Sequence, residues 1–412
     1  MSVTEPLRPL QFLRAFESVP LASCIDAVLE QTLRDQRLVG AVVLVAHRGK
    51  LIYRRAAGFA DREARLPMRE DALFRLSSVS KPIVSVAALA LIDQGKLNLD
   101  DDISRWLPDF KPTLSDGQSA TITVRQLLSH TAGFTYGFLE SDQGGPYRDA
   151  GVSDGMERSN LTLEGNLRRL SHVPLLYKPG SSWGYSIATD VLGGVIAAVT
   201  GTSLAAAIDA LIAKPLGLRD IGFSVSDASR LCPAYLNDQP QPRRMKELEV
   251  MPVFEGTAGI KLEPSRALDP QAFNSGGSGL IGSAGEFLQL LETLRKGGAP
   301  LLPEALVEEM ATNQTGELEL ENWPGRGFGL GFTVLKDPAA AQTAESVGSW
   351  RLGGAYGHSW FVDPTEQLTV VAFTNTAFEG MFGQFTVDLC NAVYGAIKSD
   401  RNNVVAPLES DS

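Results

Sequence analysis

Two side chains three residues apart, Ser78 and Lys81 in the stretch Phe74-Arg-Leu-Ser-Ser-Val-Ser-Lys-Pro82, carry the most direct chemical potential in this sequence. On a helix, positions i and i+3 share a face with Cβ atoms about 5 to 6 Å apart, which puts a lysine amine within reach of a serine hydroxyl. That hydroxyl is nearly inert at neutral pH and needs a neighbouring base. A lysine desolvated in a buried pocket can lose its proton near neutrality and act as one. Among the lysines of the chain, Lys81 alone follows a serine by three positions. Pro82 fits a helix only in its first turn, where the missing N–H has no partner to lose, so the helix is expected to begin close to Ser78. Free N–H groups and the positive end of the helix dipole would then face Ser78, where an oxyanion could develop. Taken alone, the same pattern also describes an ordinary helix N-terminus with a solvated lysine.

The elements that must position this pair follow from periodicity. Residues 22–37 carry apolar positions at helical spacing (Ile25, Val28, Leu29, Leu33), and the β-branched run Gly40 to Ala46 follows as a strand. A polar turn at His47-Arg-Gly-Lys50 and a second strand from Leu51 make a hairpin. From Pro82 to about residue 270, helical patterns (84–94, 124–128, 189–200, 204–212) alternate with segments rich in Gly, Pro, Asp and Ser. Strand character returns at Gly327 to Leu335, His358 to Val362 and Leu368 to Thr374, and Phe385 to Ile397 reads as a closing helix. The expected class is α+β. A sheet domain made from 20–80 and 271–398 receives an inserted helical and loop domain, 81–270, with the active site between them. Residues 1–15 and 399–412 are expected to be loose ends.

A chain of 412 residues with 44% hydrophobic and 21% charged residues can bury an enzyme-sized core. The net charge of -11, without a block of like charges, argues against nucleic-acid and anionic-membrane partners. Cys24, Cys232 and Cys390 have no C-x-x-C spacing, and His47, His130, His172 and His358 form no H-x-x-x-H pattern, so neither a disulfide framework, a metal nor a cofactor is expected. The first 20 residues lack the apolar stretch of a signal peptide, and no apolar run reaches the roughly 20 residues of a membrane span, which leads to the expectation of a cytoplasmic protein.

Six ordered stretches, in the family's order, give the sequence a resemblance to the serine β-lactamase and DD-peptidase superfamily. They are Leu76-Ser-Ser-Val-Ser-Lys-Pro82, Gly95-Lys-Leu-Asn-Leu-Asp-Asp101, Ile122-Thr-Val-Arg-Gln-Leu-Leu-Ser-His-Thr-Ala-Gly133, Lys178-Pro-Gly-Ser-Ser-Trp-Gly-Tyr-Ser186, Lys214-Pro-Leu-Gly-Leu218 and Ser275-Gly-Gly-Ser-Gly-Leu280. The chain resembles the class C-like branch, and within it the family VIII carboxylesterases. The resemblance implies a β-lactamase-like fold, a central antiparallel sheet flanked by helices with the helical domain inserted. It implies Ser78 as nucleophile and Lys81 and Tyr185 as proton-transfer partners, with Tyr185-Ser-Ile187 in the place of a Tyr-x-Asn turn. It also implies that Leu352-Gly-Gly354 occupies the third motif, so that the N–H groups of Ser78 and Ala355 form the oxyanion hole.

Two departures bear on the substrate. Ile187 replaces an asparagine that helps hold a β-lactam amide, and Leu352 replaces a cation that would attract a penicillin carboxylate. Both favour neutral esters of short to medium acyl length, with a small-molecule ester as the only partner and the oligomeric state open. An acyltransferase, amidase or β-lactamase using the same site, and a catalytically silent binding protein of the same fold, are the alternatives. Tyr136, Trp183 and Trp360 are candidates for the acyl or alcohol pocket, Gly353 and Gly354 would let substrate approach the strand, and another register would place His358 in the pocket. His130 is expected to shape the site from behind. Gly151-Val-Ser-Asp-Gly155 matches G-x-S-x-G, but no strand precedes it as a nucleophile elbow requires, so Ser153 is expected on a loop over the pocket.

Overall fold

The computed structural model describes residues 20–225 and 227–404, with residues 400–404 as backbone alone. Its centre is an eight-stranded antiparallel sheet, ordered Arg326–Phe328, Thr333–Leu335, Trp350–Gly354, His358–Asp363, Leu368–Thr374, Gly40–His47, Lys50–Asp61, Leu66–Pro67. The expected hairpin forms, with His47 opposite Lys50 across a turn in which Arg48 and Gly49 both take positive φ (52° and 78°). Such two-residue turns match the right-handed twist of the strands they join. Val43 pairs with Ala372, so the beginning and end of the chain meet in one sheet, as the strand patterns imply.

Strand Gly40–His47 is buried on both faces because helices cover both sides of the sheet. Ile25, Leu29, Phe385, Leu389 and Val393, from helices Leu21–Arg34 and Gln384–Val404, pack on the face that carries Val43 and Ala372. On the other face, Val42, Leu44, Val371 and Phe373 share a core with Phe287 and Leu291 of helix Ala284–Arg295 and with the Ser80–Asp93 helix. That helix is buried continuously from Ser80 to Leu91 and packs against helices Ala188–Thr200 and Leu204–Ile208. Its amphipathic stripe is absent because it has no solvent side, the condition for a helix apolar all round.

Three expectations change. The Gly327 to Leu335 run is two strands, since Gly329 N donates to Phe332 O and the chain turns between them. The inserted region also holds short strands, among them the hairpin of Glu249–Met251 with Ile260–Leu262. Ser399 to Val404 continue the last helix rather than forming a loose end, whereas residues 1–15 and 405–412 lie outside the described residues. Among the described residues, no single helix is long and apolar enough to cross a membrane.

Candidate active site

Ser78 lies in a 3-10 turn, Ser77–Val79, that runs directly into helix Ser80–Asp93, so Pro82 falls in the first helical turn where its missing N–H costs nothing. The turn is fastened on both sides. Ser77 takes a positive φ of 44°, a sparsely populated conformation for a residue with a Cβ, and its Oγ accepts from Tyr356 N at 3.4 Å. Ser80 Oγ accepts from Leu280 N at 3.1 Å. Ser77, Val79, Ser80 and Lys81 are buried, and Ser78 alone in this stretch is partly exposed.

Lys81 Nζ donates to Ser78 Oγ at 3.3 Å and to Gly277 O at 3.0 Å. Its ammonium is fully buried, and that desolvation pulls its pKa down from the ordinary lysine range, opposed by the charge of Asp190. Asp190, in the first turn of helix Ala188–Thr200, is equally buried, and burial pushes its carboxyl up while a Ser275 hydrogen bond and the Lys81 charge oppose the rise. Gly277 N donates to Asp190 Oδ2 at 3.3 Å, so one glycine residue joins lysine to carboxylate. A Cβ at Gly277 would lie 2.7 Å from Asp190 Oδ2, 2.9 Å from the Tyr136 hydroxyl and 3.6 Å from Lys81 Nζ, so only glycine fits among the three.

Tyr185 completes the group. Lys81 Nζ sits 4.6 Å from the centre of its ring. Burial raises the phenol's pKa above its ordinary value, and the nearby Ser78 side chain only partly opposes this. At neutral pH the phenol therefore holds its proton, while the buried lysine is the group poised to accept one. His130 packs on Tyr185 with ring centres 5.0 Å apart. Its Nδ1 accepts from Ser186 N at 3.2 Å, and burial together with the Lys81 charge keeps the imidazole neutral, well below its usual pKa. It supports the tyrosine from behind, as expected.

The Leu352-Gly-Gly354 strand reaches the nucleophile turn, with a different reason for its glycines. A Cβ at Gly354 would lie 2.5 Å from Leu76 O and 2.9 Å from Ser77 Oγ, so this glycine permits contact between strand and turn. A Cβ at Gly353 would point to the opposite face, against Met381, and this glycine stays partly exposed where its neighbours Leu352 and Gly354 are buried. Leu352 is buried in the central core cluster and brings no charge to it. Ala355 follows between Gly354 and Tyr356, both held against Leu76–Ser77. Neither the Ser78 nor the Ala355 amide donates a turn or loop hydrogen bond among the described residues.

His358 is also corrected. Its Nε2 bonds Arg75 O at 2.8 Å, its ring lies between Phe74 and Phe373, and burial lowers its pKa to about 4. It is a core histidine. Trp360 likewise packs between Phe287 and Phe332 in the core. Tyr136 forms part of the wall around the lysine, its ring centre 5.2 Å from Nζ, and Trp183 is half-buried against Trp323. In the G-x-S-x-G stretch, buried Ser153 Oγ accepts from Gly155 N, and Asp154 accepts from Gly137 N and Phe138 N at 2.8 and 3.0 Å. That loop anchors the segment carrying Tyr136, and burial pushes the Asp154 carboxyl up to about 8.

Sequence reasoning missed Asp190, the role of Gly277 and Trp323. Asp190 had a signal, as the one carboxylate in an otherwise uncharged helix that begins just beyond Tyr185.

The sequence matches the family described as Beta-lactamase over residues 25–388. It is 48% identical over 381 residues to Esterase EstB of Burkholderia gladioli, an alignment that covers 92% of this chain and 97% of that esterase. The fold superposes with a TM-score of 0.88 on EstCE1, described as a hydrolase with promiscuous acyltransferase activity, at 46% identity and covering 91% of this chain and 98% of EstCE1. Unliganded simvastatin synthase LovD from Aspergillus terreus shares the fold at a TM-score of 0.71 and 21% identity, covering 93% of this chain and all (100%) of LovD.

Proposed function

This chain belongs to the β-lactamase family, and from that premise we propose that it is a serine carboxylesterase that cleaves short- to medium-chain esters through an acyl-enzyme on Ser78. The observation that carries this reading is the buried Lys81 amine, 3.3 Å from Ser78 Oγ and driven toward its neutral form by desolvation. Two relatives that match nearly full length, one named an esterase and the other described as a hydrolase, support it.

Ser78 Oγ attacks the ester carbonyl and passes its proton to Lys81 Nζ, while the carbonyl oxygen takes the negative charge and rests on the N–H groups of Ser78 and Ala355. As the tetrahedral adduct collapses, the ester C–O bond breaks and the Tyr185 hydroxyl protonates the departing alkoxide. The tyrosinate recovers its proton from the lysine ammonium beside its ring. Water then adds to the acyl carbonyl and loses a proton to the same lysine–tyrosine pair, and Ser78 leaves with a proton restored. An alcohol in the place of that water would give acyl transfer, the reading that the description of EstCE1 favours second.

The pocket brings no cation at Leu352 and no amide at Ile187, so esters should exceed β-lactams as substrates. Steady-state kinetics on p-nitrophenyl butyrate and nitrocefin test this. The expected result is rapid ester turnover with kcat/KM for nitrocefin about 100-fold lower or more, because a lost charge-assisted contact is worth about 1.5–3 kcal/mol and a lost neutral hydrogen bond about 0.5–1.5 kcal/mol. Equal or faster nitrocefin turnover would remove the substrate assignment while leaving the nucleophile in place.

A further inference from the structure

Tyr185 belongs to a closed circuit of rings that the chemical steps above do not use. Its edge meets Trp323 with centres 5.4 Å apart at 82°. Trp323 packs on Trp183 at 5.3 Å, and Trp183 on Phe328 at 5.8 Å. Phe328 stands edge-on to His130 at 5.0 Å, and His130 returns to Tyr185. Phe328 and His130 are buried, forming the floor. Tyr185, Trp183 and Trp323 are each only partly buried, so three aromatic surfaces remain partly open beside the nucleophile. Core packing alone does not call for two tryptophans left partly exposed against each other.

The position of this shelf relative to the chemistry selects its occupant. The Tyr185 hydroxyl gives its proton to the departing oxygen, so the alcohol must lie against Tyr185, and Trp323 is the ring that continues the surface outward from it. We propose that Trp323 and Trp183 form the subsite for the alcohol portion of the substrate and select esters of aromatic alcohols. Offset and edge-to-face contacts with planar rings are the geometry such indoles favour, and a flat ring loses little conformational freedom on binding. This inference rests on the assignment of Tyr185 as leaving-group acid, and it adds the substrate class.

The test compares 2-phenylethyl butyrate with ethyl butyrate, which share an acyl group, and adds ethyl phenylacetate, which moves the ring to the acyl side. In the wild type, the 2-phenylethyl ester is expected to exceed the ethyl ester in kcat/KM by about 10-fold or more. Trp323→Ala and the bulk-retaining Trp323→Leu are both expected to erase most of that preference and to change ethyl butyrate and ethyl phenylacetate less than about 3-fold. Equal loss on all three esters would show that the indole only braces Tyr185 and would overturn the proposal, as would an unchanged preference or a loss confined to ethyl phenylacetate. Quenching of tryptophan fluorescence by 2-phenylethanol in Ser78→Ala reads the shelf without turnover. Quenching there that Trp323→Leu abolishes supports the subsite even if the esterase reading fails, and no saturable quenching counts against the subsite.

Discussion

Ser78→Ala is expected to lower kcat/KM for p-nitrophenyl butyrate by about 10³-fold or more, with Tm nearly unchanged. The size follows from the loss of the covalent route, after which only the oxyanion donors and substrate binding remain to catalyse. The small effect on folding follows from the surroundings. Ser78 is partly exposed, and the turn is held by its neighbours, Ser77 to Tyr356 and Ser80 to Leu280. Loss of activity together with a collapse in Tm would instead mark Ser78 as structural. Activity within a few-fold of wild type would place the nucleophile elsewhere.

Lys81→Met is expected to reduce kcat/KM by about 10²- to 10⁴-fold, the range spanned by a positioned general base. Met conserves most of the length of the stem, and removing a buried amine relieves its desolvation, so Tm should stay level or rise. Lys81→Arg separates base from charge. Arginine keeps a cation at the site and cannot give up its proton at accessible pH, so it should be as inactive as the methionine variant. An arginine variant with substantial activity would mean that the lysine works by its charge alone.

The pH profile follows from the same group. The active form has Lys81 neutral, so kcat/KM falls as pH drops through the lysine pKa, which burial sets below the ordinary value of about 10.4. The Asp190 charge raises that pKa, because it favours the ammonium. Asp190→Asn removes the opposing charge, and the acid limb should move to lower pH, with the Gly277 N–H still able to donate to the amide oxygen. A limb that moves to higher pH or stays fixed would separate Asp190 from the lysine.

The legible parts of this molecule were those in which spacing is itself the physics. Ser78 and Lys81 fall one helical turn apart, Pro82 marks the start of that turn, and the Arg48-Gly49 turn sets the first hairpin. Asp190 was hidden because a carboxylate near a helix N-terminus already has an ordinary reason to be there, favourable interaction with the dipole. Its proximity to Lys81 comes from the packing of two helices far apart in sequence and from Gly277, which arrives from a segment 196 residues from the lysine. Trp323 was invisible for the same reason, as a loop residue whose partners Trp183 and Tyr185 lie far away in sequence. His358 was misread because assigning it required knowing which face of its strand looks toward the nucleophile, and the register decides that. The continuous reading of Gly327 to Leu335 failed because composition alone does not reveal the turn where the chain reverses.

The most direct test of the central claim is mass spectrometry of the protein after brief exposure to a p-nitrophenyl alkylphosphonate, followed by peptide mapping. The account predicts one adduct per chain, on the Ser78 peptide, lost in Ser78→Ala and formed far more slowly in Lys81→Met. An adduct on another residue, or an unmodified Ser78 in protein that still hydrolyses esters, would contradict it.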